Sequence, residues 1–229
     1  MKVYLFYIMI FSAVLSTAQN TEVFNQFSNA LIKAKEALSA DGLEVKTKTE
    51  IYKNGSENPI QTIEHISVKS DGKVYASNIQ SDVFFNGDTL IFVDKGNRVI
   101  TLYDKEVAKN FLTPPVPKFD QSVLGNDSLV LKEDKLFNVF IIYHKAGKVK
   151  TTTMYFSKKD GAINKTIYIF QATKSDYVES TELNYTYKTI NSDAFHWKSS
   201  NFVKVRSNKI YTANQYTGYS VVNQVKNNN

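Results

Sequence analysis

The stretch FNVFIIY, residues 137–143, decides how the rest of the chain is interpreted. If these residues form a strand, successive side chains point to opposite faces of a sheet. Val139 and Ile141 then lie on one face. Phe140 and Ile142 lie on the other face. A sheet with one solvated face alternates apolar with polar residues, and this stretch does not. We therefore expect both faces to be covered here, or one face to line an apolar groove.

Strand and turn signals on both sides of this stretch predict a β-meander. Apolar or threonine residues alternate with charged ones over residues 43–51, which is the pattern of a half-buried strand. Asn54-Gly55, Asp71-Gly72 and Asn86-Gly87 are pairs typical of tight turns between antiparallel neighbours. The predicted strands occupy residues 43–51, 60–69, 73–78, 83–85, 90–94, 98–103, 128–132, 136–144, 148–156, 162–170, 177–188 and 195–205.

Two segments have helical patterns instead. Apolar residues recur at steps of three and four from Phe24 to Leu38, which predicts one amphipathic helix ending before Asp41-Gly42. Residues 107–112 predict a short helix, which Pro114 and the following prolines end. With few helices to cover a large sheet, we expect a curved antiparallel sheet that forms an incomplete barrel, covered by both helices. The predicted fold class is mainly β, of the α+β type.

The N-terminus has the features of a secretory signal peptide. Lys2 precedes a largely apolar run over residues 3–15, which is shorter than the roughly 20 residues of a membrane-spanning helix. Small residues follow the run, so cleavage is predicted after Ala18, and residues 1–18 are assigned to the signal peptide.

Residues 19–229 are predicted to form a single domain with a frayed polar tail from Asn223 onward. The chain contains no cysteine, so packing without disulfides must stabilise the fold. A cysteine is also the residue by which exported lipoproteins are lipidated. A cleaved signal peptide without that cysteine predicts a soluble protein of the periplasm.

Composition and motifs argue against several classes of function. The chain has 28 Lys and Arg against 22 Asp and Glu, but the lysines are scattered, which favours a solvated surface over a nucleic-acid site. The three histidines have no partners at metal-ligand spacing in the sequence. No glycine-rich loop for phosphates or dinucleotides occurs either. We therefore expect no metal and no cofactor.

One pair of motifs comes close to a catalytic pattern. Asp127-Ser128-Leu129, preceded by Gly125-Asn126, resembles the serine block of SGNH-type esterases, and Asp193-Ala194-Phe195-His196 resembles their Asp-x-x-His pair. The inserted Asn126 and the lack of alternating strands and helices argue against that class. The chain is therefore predicted not to be an enzyme.

The order of these parts resembles the periplasmic outer-membrane lipoprotein carrier superfamily, the LolA-like proteins. Val68–Tyr75 is similar to the strands around that family's RPGxFRW motif, and Phe85–Asp94 is similar to its dGxxlWxYD block. Lys69 and Phe92 stand where those motifs have an arginine and a tryptophan, so no residue that latches a lid is carried over. Further likenesses are found at Arg98–Leu102, at Val123–Gly125 and at Asn191–Phe195 with Trp197.

The resemblance implies a half-barrel whose concave face holds acyl chains, in a monomer that carries lipoproteins or lipids between membranes. It also implies an inner-membrane donor and an outer-membrane acceptor. Each buried CH₂ group contributes about 0.8 kcal/mol, so an apolar groove can hold lipid without covalent chemistry. The candidate groove residues are apolar or aromatic residues of predicted strands: Phe92, Leu102, Phe140, Ile142, Tyr155, Tyr168 and Phe170.

An alternative function uses the same half-barrel as a non-enzymatic interaction or structural module of the envelope. The tyrosine-rich end of the chain, with Tyr211, Tyr216 and Tyr219, favours this alternative. It predicts that the chain's own side chains fill the concave face.

Overall fold

A computed structural model of the protein contains two α-helices and fourteen strands among the residues that it describes. The predicted signal peptide and the prolines predicted to end the mid-chain helix lie outside the described residues. Those residues are 21–38, 40–112, 127–171, 178–191, 193, 195–207 and 209–225.

The helices form where the apolar periodicity predicts them. Helix α1 spans residues 21–38, and within it Phe27 is 0% exposed and Ala34 is 4% exposed. Helix α2 spans Lys105–Leu112. Asp104 immediately precedes the helix, and its carboxylate accepts a hydrogen bond from the backbone N–H of Val107 at 3.0 Å. This contact satisfies one of the free donors in the first turn.

The strands confirm most of the predicted meander. The segment predicted as a strand over residues 195–205 differs: Ser199–Asn201 forms a 3₁₀ turn, and a strand begins only at Val203. The strands are β1 Leu43–Lys53, β2 Gln61–Ser70, β3 Lys73–Ser77, β4 Ser81–Phe85, β5 Thr89–Asp94, β6 Val99–Asp104, β7 Ser128–Glu133, β8 Phe137–Tyr143, β9 Val149–Ser157, β10 Ile163–Phe170, β11 Val178–Thr189, β12 Val203–Arg206, β13 Lys209–Thr212 and β14 Ser220–Asn223.

Twelve of the described strands form one open sheet, and β12 and β13 form a second sheet of two strands. The large sheet has the order β14-β6-β5-β4-β3-β2-β1-β11-β10-β9-β8-β7, so the two meanders join where β1 lies beside β11. This confirms a mainly β fold whose sheet does not close into a barrel. One edge differs from the antiparallel prediction: β14 pairs with β6 in parallel, because the chain returns to this edge after the β12–β13 hairpin. Asn223, predicted to begin the tail, is part of this pairing.

The described residues fall into two compact units. The α1 unit contains α1, Glu50–Gln61, β7 to β10 and the first part of β11. The C-terminal unit contains Ala40–Thr49, β2 from Thr62 to β6, α2, and the chain from Tyr185 onward. The assignment of residues 19–229 to a single domain stays a prediction.

Aromatic side chains fill the core of the C-terminal unit. Phe84 stacks on Phe202 with 5.2 Å between ring centroids, and Phe202 stacks on Tyr216 at 5.9 Å. Tyr75 stacks on Trp197 at 4.3 Å. The segment after β11 therefore packs onto the sheet face formed by β3 to β6 and excludes water from it.

A buried carboxylate ties this segment to the sheet. Asp82 is 5% exposed and accepts hydrogen bonds from the hydroxyls of Tyr216 at 2.8 Å and Ser77 at 2.5 Å. It also forms an ion pair with Lys95 at 2.8 Å. Burial, together with the Asp82 carboxylate, raises the pKa of Tyr216 far above its ordinary value. A buried carboxylate is stable only when hydrogen bonds and an opposite charge compensate it. The Tyr216 hydroxyl must therefore stay within hydrogen-bond distance of Asp82, which fixes the position of the Tyr216 ring.

Candidate binding site

A cavity of about 550 Å³ lies in the α1 unit, between helix α1 and the sheet. Its volume is in the range typical of small-molecule sites, about 300–1,000 Å³. Three apolar sheet residues line it: Phe140 and Phe156, each 1% exposed, and Leu131. The polar sheet residues Glu133 and Asn138, together with residues of α1 and of the segment between β9 and β10, complete the lining.

Strand register places the apolar lining on one face of the sheet. Phe140 pairs with Leu131 on β7 and with Met154 on β9, and Met154 pairs in turn with Thr166 on β10. Directly paired residues share a face, so we call the face that carries Phe140 the inner face of this unit. Its side chains on β7 to β10 include Leu129, Leu131, Glu133, Asn138, Phe140, Ile142, Thr152, Met154, Phe156, Thr166 and Tyr168.

Helix α1 is held on the inner face by Phe27. The Phe27 ring lies 5.1 Å from the Phe140 ring and 6.4 Å from the Phe156 ring, between centroids. The turn between β9 and β10 also approaches the helix closely. Gly161 has a φ of +74°, and a Cβ added there would lie 3.0 Å from the Cβ of Lys33. A residue with a side chain would therefore meet both backbone strain and a steric clash at this turn.

Charged groups surround the apolar part of the cavity. Lys33, Lys158 and Lys159 line it, together with Glu133 and Asp160. Lys158 forms an ion pair with Glu133 at 2.8 Å. The hydroxyl of Ser157 and the backbone N–H of Ala162 hold the pKa of Asp160 below its ordinary value, so this carboxylate stays charged at neutral pH. The cavity is therefore lined mainly by polar and charged groups, with Phe140, Phe156 and Leu131 as its apolar part.

Two buried polar atoms near this face have no hydrogen-bond partner among the residues that the structure describes: the Thr166 hydroxyl and the Asn164 carbonyl oxygen. Thr166 is 1% exposed and lies on the inner face. Leaving such a group unpaired costs about 1–3 kcal/mol. Burial also raises the pKa of Tyr168, two residues further along β10. The inner face thus has polar groups that a bound molecule could satisfy.

A hydrogen-bonded cluster of polar side chains lies on the inner face at the C-terminal end of β8. His144 contacts the Asp127 carboxylate through Nδ1 at 2.7 Å and the Thr152 hydroxyl through Nε2 at 2.9 Å. The backbone N–H of Lys145, followed by the His144 ring, holds the pKa of Asp127 below its ordinary value. Carboxylate, imidazole and hydroxyl thereby satisfy one another in a partly buried position.

Ser128 and His196, which belong to the two esterase-like motifs, lie in different units. Ser128 is exposed on β7 and pairs with Tyr143. His196 belongs to the C-terminal unit, where it stacks on Trp197 at 4.0 Å between ring centroids. The His144 contacts were not indicated by any sequence motif, because Asp127, His144 and Thr152 come together only through strand pairing.

The predicted groove residues in the α1 unit do not all share a face. Phe140, Ile142 and Tyr168 lie on the inner face. Phe170 follows an irregularity in the register and pairs with Val149. Tyr155 lies on the opposite face, with its ring 6.1 Å from that of Phe137.

The two predicted residues in the C-terminal unit also lie on opposite faces. Leu102 pairs with Ile91 and is 7% exposed in the aromatic core. Phe92 pairs with Thr101 and lines a separate cleft of about 490 Å³ beside Lys95. The sequence did not predict Phe156 as a residue that lines the cavity, or Phe27 as a residue that contacts this lining. The helical stripe nevertheless contains Phe27, and the β9 pattern contains Phe156.

No family model and no curated protein matches the chain. Solved structures do match it. A chain in the MucA/MucB complex of Pseudomonas aeruginosa is 16% identical over 75% of this chain, with a TM-score of 0.37. This chain spans 61% of that chain's length.

Two further matched structures carry names related to the carrier superfamily. A LolA superfamily protein from Nitrosomonas europaea is 10% identical over 75% of this chain and 97% of its own, with a TM-score of 0.30. A putative outer membrane lipoprotein-sorting protein domain from Vibrio parahaemolyticus is 14% identical over 74% of this chain and 95% of its own, with a TM-score of 0.25.

The described residues contain neither a membrane-spanning helix nor a cluster of metal ligands. No helix there is long and apolar enough to cross a membrane. No group of three or more histidine, aspartate or glutamate side chains there is arranged to hold a metal ion.

Proposed function

We propose that the chain is a carrier of the cell envelope that binds one amphiphilic molecule with an acyl chain in the cavity beneath α1. The observation that carries this proposal is the cavity itself, with Phe140 and Phe156 on its apolar side and lysines in its polar lining. An acyl chain placed against the apolar side gains about 0.8 kcal/mol for each buried CH₂ group. The lysines favour an anionic or strongly polar head group.

Helix α1 acts in this proposal as the cover of the site. Phe27 occupies the space next to Phe140 and Phe156, so a long acyl chain requires this ring to move away from the sheet. The ligand then replaces the contacts that Phe27 loses.

Transfer between an inner-membrane donor and an outer-membrane acceptor is part of the same proposal. It is supported by the predicted signal peptide and by the resemblance of the sequence to the lipoprotein carrier superfamily. A carrier needs no catalytic group, in agreement with the predicted absence of enzyme activity.

The first test is native mass spectrometry of residues 19–229 purified from cells, followed by organic extraction. The second is titration with a fatty acid that carries an environment-sensitive fluorophore. Ala30 lines the cavity from α1, so Ala30→Phe should occupy the space of the ligand and weaken probe binding at least tenfold. Ala37 lies on the same helix outside the lining, so Ala37→Phe is the matched control and should bind like the wild type.

Thermal unfolding of both variants establishes that they are folded. A lipid-free mass together with no probe binding by the wild type would overturn the carrier proposal. Equal binding by Ala30→Phe and Ala37→Phe would place the acyl site somewhere other than this cavity.

A second candidate function is an interaction module of the envelope. It is favoured by the C-terminal unit, where the chain's own aromatic residues fill the sheet face that carries Leu102. The alternative predicts a sheet face filled by the chain's own side chains. Crosslinking in cells followed by capture distinguishes the two: a stable protein partner without bound lipid supports the module, and lipid without a protein partner counts against it.

A further inference from the structure

The β12–β13 hairpin of the C-terminal unit has two different faces. Val203 is 6% exposed and belongs to the aromatic core, and Ile210 packs against that core. Val203 pairs with Thr212 and Ile210 pairs with Val205, so these four residues lie on the face toward the core. The other face is directed away from the core because side chains alternate along each strand.

The outward face carries three cations and one tyrosine, and we call it the basic face: Lys204, Arg206, Lys209 and Tyr211. Lys204 lies directly opposite Tyr211, and Arg206 lies directly opposite Lys209. Arg206 and Lys209 are exposed, whereas the Lys204 ammonium donates to the Asn214 side-chain oxygen at 3.3 Å.

The charges of the basic face are not balanced locally. Like charges placed directly opposite each other destabilise a strand pair. Residues 194–229 contain five Lys and Arg and no Asp or Glu. Among the residues that the structure describes, no ion pair is found for Arg206 or Lys209. The hairpin therefore retains an electrostatic cost that an external anion would remove.

An aromatic side chain is exposed on the same face as these cations. Tyr211 is 49% exposed and pairs with Lys204. Tyrosine rings favour the interface between a bilayer and water, where the ring contacts acyl chains and the hydroxyl stays hydrated. Arg and Lys favour the same depth next to anionic head groups.

We propose that the β12–β13 hairpin binds the surface of a membrane that contains anionic phospholipid, with Arg206 and Lys209 at the phosphate groups and Tyr211 at the bilayer interface. The charge supplies attraction, and the Tyr211 ring supplies a contribution that an anionic soluble partner would not need. This binding is independent of any cargo in the α1 unit.

The test is co-sedimentation of residues 19–229 with vesicles of phosphatidylcholine, and with vesicles of phosphatidylcholine mixed with phosphatidylglycerol. The wild type should bind the second kind of vesicle and not the first. Each Lys or Arg near an anionic surface contributes about fivefold to partitioning, so Arg206→Gln with Lys209→Gln should weaken binding by about 25-fold.

Lys135→Gln with Lys150→Gln is the matched control. Both lysines are exposed residues of the α1 unit, and the double change alters the net charge by the same amount. This control should retain most of the binding. Tyr211→Ser leaves the charge unchanged and should still weaken binding several-fold, and thermal unfolding of each variant verifies that it is folded.

Two results would overturn the proposal. One is a failure of the wild type to sediment with phosphatidylglycerol vesicles, which includes the case in which the hairpin recognises an acidic protein. The other is an equal loss of binding in the hairpin variant and the Lys135 and Lys150 control, which would assign binding to net charge alone.

Discussion

Replacement of Phe27 by alanine tests whether one aromatic ring holds α1 on the sheet. Phe27 is 0% exposed and contacts the rings of Phe140 and Phe156, so its removal takes away the main apolar contact that the structure shows for the helix. Buried Phe-to-Ala changes cost about 3–5 kcal/mol in free energy of unfolding. We expect about 3 kcal/mol, at the lower end of this range, because the adjacent cavity of about 550 Å³ lets water and side chains relax into the vacated space.

Urea unfolding of residues 19–229, followed by far-ultraviolet circular dichroism, measures this free energy by linear extrapolation. Phe24→Ala is the matched control, since Phe24 is on the same helix and is only partly buried. It should cost about 1 kcal/mol. Amide hydrogen exchange adds a local measurement: exchange within α1 should accelerate in Phe27→Ala, while exchange in β8 and β9 should change less.

Equal destabilisation by the Phe27 and Phe24 variants would refute this reasoning. Unchanged exchange in α1 would do the same, because it would mean that other contacts hold the helix in place. Either result would also remove Phe27 as the group that a long acyl chain has to displace.

Three further predictions concern turns and titrating groups. Gly161→Ala should cost more than Gly147→Ala in chemical unfolding, by about 1 kcal/mol, because both glycines have positive φ but only Gly161 faces a neighbouring side chain. The raised pKa of Tyr216 means that its contribution to stability is complete below pH ~10 and is lost as the pH rises above it, so in melting curves Tyr216→Phe should flatten the alkaline decline. It should also lower the free energy of unfolding at neutral pH by about 1–3 kcal/mol, since Asp82 loses a donor. The lowered pKa of Asp127 means that its contribution is present above pH ~4 and is lost as the pH falls through the folded-state pKa, so Asp127→Asn should show a shallower loss of melting temperature in acid.

Local patterns were sufficient to predict the helix and most strands. The stripe from Phe24 to Leu38 repeats with the helical period, and α1 covers residues 21–38. The pairs at Asp71-Gly72 and Asn86-Gly87 lie between consecutive strands, as their turn preferences predict. Both signals depend on residues a few positions apart, which a single sequence displays directly.

The end of the chain was harder to predict for a physical reason. Residues 195–205 contain aromatic and β-branched residues that favour a strand, yet Phe195 and Trp197 pack as single rings against the core of the C-terminal unit. Phe202 reaches the same core from a 3₁₀ turn. Aromatic burial against a distant sheet outweighed the local strand preference there.

In the candidate site, too, the sequence predicted some features and could not predict others. The alternation in FNVFIIY correctly separated Phe140 and Ile142 from Val139 and Ile141. It could not align β8 with the other strands, and one residue of register moves a side chain to the opposite face. Tyr155 was therefore grouped with residues of the inner face although it lies on the other one.

The sequence by itself determined the class of fold, since the periods of two and 3.6 residues and the turn residues are local properties of the chain. Only the tertiary structure decided what covers each apolar face. Phe27 covers part of the inner face next to a cavity, while Phe202 and Tyr216 fill the face that carries Leu102. The contacts of Phe27 with Phe140 and of Phe202 with Phe84 join residues 113 and 118 positions apart. They depend on packing volume and strand register, which hydrophobic periodicity does not encode.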